Sequence, residues 1–198
     1  MQRLGSTYIL DERIGSGAQG EVWKGHADGS EETLAFKILR SDLTRERPVI
    51  DAFLKERDTL ERVDSPYVVR VRDMVAEGET LGLVMDYVGG GDLADVIREQ
   101  GALAPELVVS YGAAIAAGLS AIHAAGLVHR DVKPANVLID SVGASPQAPA
   151  PQVAWTPRLA DFGVARICST VASSRATGAI GTPLYMAPEI LDVHAPTP

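Results

Sequence analysis

Cysteine is nearly absent: the 198 residues contain one, Cys168. A lone thiol closes no internal disulfide, so the fold must stand on its core, and the chain suits a reducing compartment. Cys168 reads as a small filler in a loop, since neither a resolving cysteine nor a clear activating cation accompanies it. The start, MQRLGSTYILDERIG, lacks an apolar stretch behind a basic end, which argues against a secretory signal. No run approaches the ~20 apolar residues of a bilayer span. The expectation is a cytoplasmic chain without a membrane segment of its own, any anchor lying beyond residue 198. Basic residues are the minority, 18 against 26 acidic, for a net charge of −8. That balance argues against nucleic acid or an anionic membrane as the main partner, because both select basic patches. No internal repeat is visible. What remains is a globular composition, 46% apolar, of a length that builds one large domain or two small lobes.

Residues 8–13 and 21–26 alternate in polarity around a glycine-rich segment, as the strands of a hairpin do, and residues 33–39 form a third, apolar strand. From Pro48 to Arg62 the period becomes helical, with Ile50, Phe53, Leu54, Arg57 and Leu60 at helical spacing, until Asp64-Ser65-Pro66 stops it. Residues 68–76 and 81–87 return to strands, joined by a turn at Glu77-Gly78-Glu79. Gly89-Gly90-Gly91 then breaks the chain, at a point where glycines permit one lobe to move against another. After residues 93–99 comes a long Ala-rich helix over 106–124, whose apolar face carries Leu107, Tyr111, Ile115, Leu119 and Ile122. Residues 141–157, rich in Pro, Ala and Ser without a usable period, read as an extended, mobile spacer anchored at its end by Trp155.

Residues 129–136, HRDVKPAN, set a carboxylate, an ammonium and a carboxamide at fixed offsets after a short apolar run. Phosphoryl transfer uses these groups: a hydroxyl nucleophile needs an acceptor for its proton (Asp131), the phosphate carries charge to offset (Lys133), and a metal needs a hard oxygen (Asn136). Turn capping is the plainer use of the same residues. Residues 15–22 read GSGAQGEV. This glycine spacing also opens dinucleotide-binding helices, but Val22 and Trp23 read as extended, and no acidic ribose binder lies ~20 residues beyond a strand-to-helix turn. The segment reads as a phosphate lid, with Gly15, Gly17 and Gly20 letting backbone N–H groups close on phosphates. Lys37 ends the strand segment LAFK, and an ammonium among apolar residues needs a partner to keep its charge. Glu46, Glu56 and Glu61 are the candidate partners on or beside the following helix.

Taken in order, GSGAQGEV, LAFK, HRDVKPAN, DFG (161–163) and APE (187–189) resemble the motif set of protein kinases. From about residue 8 onward the chain looks like a Ser/Thr protein kinase similar to the eukaryotic-like kinases of bacteria. The resemblance implies an α+β, bilobal fold. Residues 1–88 would form a small lobe of antiparallel sheet plus one helix, and 89–198 an incomplete, mainly helical large lobe carrying the insertion 141–157. It implies ATP and Mg²⁺, and protein substrates phosphorylated on Ser or Thr. Asp131 would orient the substrate hydroxyl, Lys133 would offset γ-phosphate charge, and Lys37, paired with Glu56, would hold the α and β phosphates. Asn136 and Asp161 would hold Mg²⁺. Ile14, Val22, Ala35, Met85 and Leu138 would enclose the adenine, backbone groups of Asp86 and Val88 would meet its edge, and Asp92 the ribose. Between DFG and APE stand Ser169, Thr170, Ser173, Ser174 and Thr177, of which Ser174 or Thr177 would be autophosphorylated and pair with Arg130. A transient homodimer would serve that step in trans, and Thr182 would brace Asp131 and Lys133.

One departure from the family pattern is the end at Pro198, nine residues past Glu189, where a kinase domain continues with further helices. The arginine that would pair Glu189 has no counterpart by pattern. The expectation is a fragment of a longer kinase, of marginal stability alone. The competing functional readings are an ATP-binding but inactive fragment or regulatory pseudokinase, and an interaction module without nucleotide.

Overall fold

The structure is a computed structural model that describes residues 2–17, 19–44, 47–140, 155–162 and 183–185. These fall into two units, the first taking in Met1–Val63 and Arg70–Tyr87, the second Asp64–Val69 and Val88–Phe162.

The first unit is built on a six-stranded antiparallel sheet of β1 (Gln2–Leu4), β2 (Tyr8–Gly17), β3 (Gly20–Ala27), β4 (Leu34–Leu39), β5 (Val71–Glu77) and β6 (Thr80–Asp86), in the order β1-β2-β3-β4-β6-β5. The edge strand β1 was not legible in the sequence; it pairs Leu4 with Tyr8 across a tight turn at Gly5. Leu4, Leu10, Leu34, Phe36 and Val84 form a buried cluster on one face, with Tyr8, Trp23, Ile38 and Val75 packed around it. Tyr8 meets Phe36 edge to face at 5.4 Å. Gly25 is required by this packing, since a Cβ there would lie 2.0 Å from the Ile9 carbonyl oxygen.

A four-residue helix α1 (Ser41–Thr44) leads toward α2 (Arg47–Glu61), which packs on β5. The buried stripe of α2 is Val49, Phe53, Glu56 and Leu60, while Leu54 is 53% exposed, so Leu54 leaves the apolar face expected for it. Burial of side chains such as Phe53 and Leu60 is worth roughly 1.5–3 kcal/mol each. The fifth strand also begins later than expected, at Val71, because Val68 and Val69 pair instead with Leu159 of the second unit.

The second unit contains α3 (Leu93–Gln100), α4 (Pro105–Ala124), a 3-10 turn at Pro134–Asn136 and an antiparallel pair, β7 (Val137–Asp140) with β8 (Thr156–Leu159). Asp92 caps α3, its Oδ1 accepting from the Asp95 amide at 2.9 Å. Thr156 and Pro157 are strand residues, so the expected insertion ends sooner than 157; its residues 141–154 lie outside the described ones. The buried side of α4 is Tyr111, Ala114, Gly118 and Ile122, a narrower and smaller-sided face than the predicted one, and it packs on β8. Gly118 explains the difference: a Cβ there would sit 2.8 Å from the Tyr67 carbonyl oxygen and 3.1 Å from Leu159. The closest approach is at Gly118, and Leu107, Ile115 and Leu119, expected on the apolar face, are only half-buried.

The sequence expectation about apolar runs also needs correcting. The 20 residues of α4, with mean hydropathy 1.6, are long and apolar enough to cross a bilayer, because its many Ala residues count as apolar; 22% of the window is buried. A core helix passes the same test of length and composition.

Candidate catalytic centre

In the second unit, α4 ends at Ala124 and Gly126, with φ 78°, turns the chain into the loop 129–136. Asn136, 6% exposed, is locked at the loop's end: its amide donates to the Lys133 carbonyl and its carbonyl accepts from the Ala160 amide, each at 2.9 Å. Its side-chain Nδ2 donates to the Asp131 carbonyl at 2.7 Å and to Asp131 Oδ2 at 2.9 Å. Lys133 Nζ donates to the same Oδ2 at 2.8 Å. A carboxylate with 11% of its side chain exposed is thereby oriented by a cation and a carboxamide on one oxygen, while Oδ1 takes part in neither bond. Spending Nδ2 on Asp131 also keeps Asn136 Oδ1, the atom a hard cation takes, outside these bonds.

Asp161 arrives from β8. The register Val137 to Leu159 and the bond from the Ala160 amide to the Asn136 carbonyl set it beside the start of β7. Among the described non-glycine residues, Arg130 (φ 68°) and Asp161 (φ 65°) are those with left-handed backbone. Strain of this kind costs about 1–3 kcal/mol and collects at functional sites. Here both instances fall in the two motifs. Among the described residues no group of three or more His, Cys, Asp or Glu side chains is arranged to hold a metal, so a cation would rest on few protein oxygens.

His129 is 1% exposed, and its Nε2 has no hydrogen-bond partner among the described residues. Burial pushes its imidazole below the usual histidine range, against the opposing pull of the Asp131 and Asp161 charges.

The first unit carries the remaining candidates. The glycine-rich residues form the β2–β3 hairpin, with Gly15 opposite Val22 and Gly17 opposite Gly20. Gly17 faces open space, but Gly20 answers a packing need: a Cβ there would lie 1.9 Å from the Ile38 carbonyl oxygen. Lys37 and Glu56 are buried, 4% and 6% exposed, and Lys37 Nζ donates to Gln19 Oε1 at 2.9 Å. Gln19 went unnoticed in the sequence, where it stands beside Ala18 between Gly17 and Gly20. Ala35 and Met85 are paired across β4 and β6 and buried, while Ile14 is 46% exposed and Val22 half-buried. The Asp86 amide donates to the Arg70 carbonyl at 3.0 Å, and its side chain accepts from Arg72 at 2.5 Å. In the second unit, Leu138 bridges to Asp92, and the cap on Asp95 gives Asp92 a structural role beside the ribose contact expected for it. Gly90 also answers a packing need, since a Cβ there would lie 2.1 Å from the Ile139 carbonyl oxygen. Ser174, Thr177, the other hydroxyls between 169 and 182, Cys168, Gly163 and the APE segment lie outside the described residues.

The profile of the protein kinase domain matches residues 8–197. This chain belongs to the protein kinase family. Among curated relatives of the kinase, serine/threonine-protein kinase PkaB of Streptomyces coelicolor is 44% identical over 192 residues, which is 96% of this chain and 44% of that protein. Serine/threonine-protein kinase PkaA of the same organism is 42% identical over 200 residues, 96% of this chain and 35% of that protein. The kinase thus spans less than half the length of either relative. In structure it resembles the Mycobacterium tuberculosis PknI kinase domain, with TM-score 0.68 and 28% identity over 83% of this chain and 64% of that one. Rad53, solved in complex with AMP-PNP, gives TM-score 0.72 and 27% identity over 94% of this chain and 43% of that one. The α+β kinase fold expected from the motifs is therefore the fold of this chain.

Proposed function

We propose that the chain is the catalytic part of a Ser/Thr protein kinase, transferring the γ-phosphate of ATP to serine or threonine hydroxyls of proteins. The observation that carries this is the convergence of Lys133 and Asn136 on one oxygen of Asp131. A carboxylate fixed in this way orients an incoming hydroxyl and accepts its proton as the new bond to the γ-phosphorus forms and the bond from that phosphorus to the β–γ bridging oxygen breaks, ADP leaving. Lys133 then offsets charge on the transferring group.

Asn136 Oδ1 and the Asp161 carboxylate are the oxygens that would hold Mg²⁺. That ion, when bound, neutralises phosphate charge. Lys37 serves the α and β phosphates with Glu56 as its partner, and the β2–β3 hairpin with Gly15, Gly17 and Gly20 covers them. Ile14, Val22, Ala35, Met85 and Leu138 supply the adenine surface, Asp86 and Val88 its polar edge, and Asp92 a ribose acceptor. Activation follows phosphorylation of Ser174 or Thr177 by a second copy of the kinase, the phosphate meeting Arg130. The single cysteine and the acid excess support a cytoplasmic setting without nucleic acid as partner.

The test is incubation with γ-labelled ATP, Mg²⁺ and a generic acceptor protein, followed by identification of the labelled amino acids. Label on serine and threonine is the expected result. Nucleotide hydrolysis without protein label, or label confined to tyrosine, would overturn the reading.

A further inference from the structure

Outside the residues assigned above, the first unit contains a polar cluster that joins three elements. Tyr8 at the start of β2 donates its hydroxyl to Asp73 Oδ2 on β5 at 2.9 Å. Arg57 of α2 donates to Asp73 Oδ1 at 2.7 Å and, through Nε, to Glu61 Oε1 one turn further along its own helix at 2.9 Å. The Met74 amide adds a third donor to Asp73, at 2.7 Å on Oδ1.

This arrangement depends on an irregularity. Val71 pairs with Met85, but Asp73 pairs with the adjacent Val84, so β5 carries one extra residue at Arg72. In a regular strand Val71 and Asp73 would share a face. The bulge instead sets Asp73 opposite Val84, whose side chain belongs to the cluster against which Tyr8 packs. Burial and the bond to Asp73 push the Tyr8 hydroxyl up to about 12, so it stays a donor at any working pH.

Arg57 directly follows Glu56. With 3.6 residues per turn, a guanidinium tied at one end to the helix and at the other to the sheet fixes the rotation of α2 about its axis, and with it the direction of Glu56. The ion pair is too exposed to add much stability, its side chains being 47% and 29% exposed. Its use therefore lies in orientation.

We infer that Tyr8, Asp73 and Arg57 form a positioning relay that sets the rotation of α2 on β5 and so presents Glu56 for phosphoryl transfer. The relay rests on the kinase reading of Glu56. Arg57→Ala, Asp73→Asn and Tyr8→Phe should lower kcat for peptide phosphorylation, the first two by about 10- to 100-fold, with KM for the peptide unchanged. In a Glu56→Gln background the same substitutions should add nothing, because they act through Glu56. Losses that multiply in that background would overturn the relay.

A second measurement does not depend on turnover. In the free protein, Arg57→Ala should speed hydrogen exchange of α2 amides while Tm stays within about 2 °C of the parent. Unchanged exchange would overturn the relay. A parent chain without activity whose exchange responds as expected would overturn the kinase reading alone.

Discussion

Asp131, Lys133 and Asn136 show why loop residues were assignable while their neighbours were not. All three lie within six positions, so backbone spacing alone limits where their side chains can meet, and the structure brings them together on one oxygen. His129, two residues before Asp131, gave no such signal, because burial rather than spacing determines its chemistry. Its lowered pKa makes a thermodynamic prediction with a definite sign. The unfolded imidazole takes up a proton near the ordinary value of about 6.5, whereas the folded one resists until lower pH. The contribution to stability is therefore fully present above about pH 6.5 and is lost as pH falls through that value toward the folded pKa. Chemical unfolding at pH 7.5 and 5.5 should show a larger drop for the parent than for His129→Leu. Equal drops would contradict the assignment of a buried neutral imidazole.

Helices and strands divide in the same way. The periodicity of α2 was readable, and Phe53 and Leu60 bury as expected, but Leu54 faces out and the charged Glu56 lies within the inner stripe between Phe53 and Leu60. A glutamate inside an apolar stripe is itself a sequence signal for a buried ion. The bulge in β5 left no mark, since Arg72 is an ordinary strand residue, and the Tyr8–Asp73 bond spans 65 residues. In α4 the glycines separate two physical roles. Gly112 has open space where a Cβ would be, whereas Gly118 is pressed against the Tyr67 carbonyl and Leu159. Gly112→Ala should stabilise the chain by about 0.5–1 kcal/mol through helix propensity. Gly118→Ala should destabilise it by about 1–3 kcal/mol despite the same propensity gain, because the backbone neighbour cannot yield. Urea melts of the two variants give the comparison, and a shift of the same sign in both would refute the packing account.

For the molecule as a whole, five short motifs in fixed order revealed the family, because each is confined to a few adjacent residues whose chemistry depends on local geometry. What stayed hidden was long-range: the pairing of Val68 and Val69 with Leu159, the edge strand β1, and the contact of Gln19 with Lys37. These depend on which surfaces meet, and no window of sequence contains both sides. Function therefore rests first on the doubly held carboxylate of Asp131, proposed from the loop sequence as the proton acceptor, its bonds to Lys133 and Asn136 visible only in the structure. Its direct test is the rate of γ-phosphate transfer by the parent and by Asp131→Asn, side by side at saturating ATP and Mg²⁺. The substitution should lower kcat by about 10²- to 10⁴-fold, the usual share of a positioned proton acceptor, with KM for ATP changed only a few-fold. An Asp131→Asn chain that turns over at the parent's rate would contradict the account.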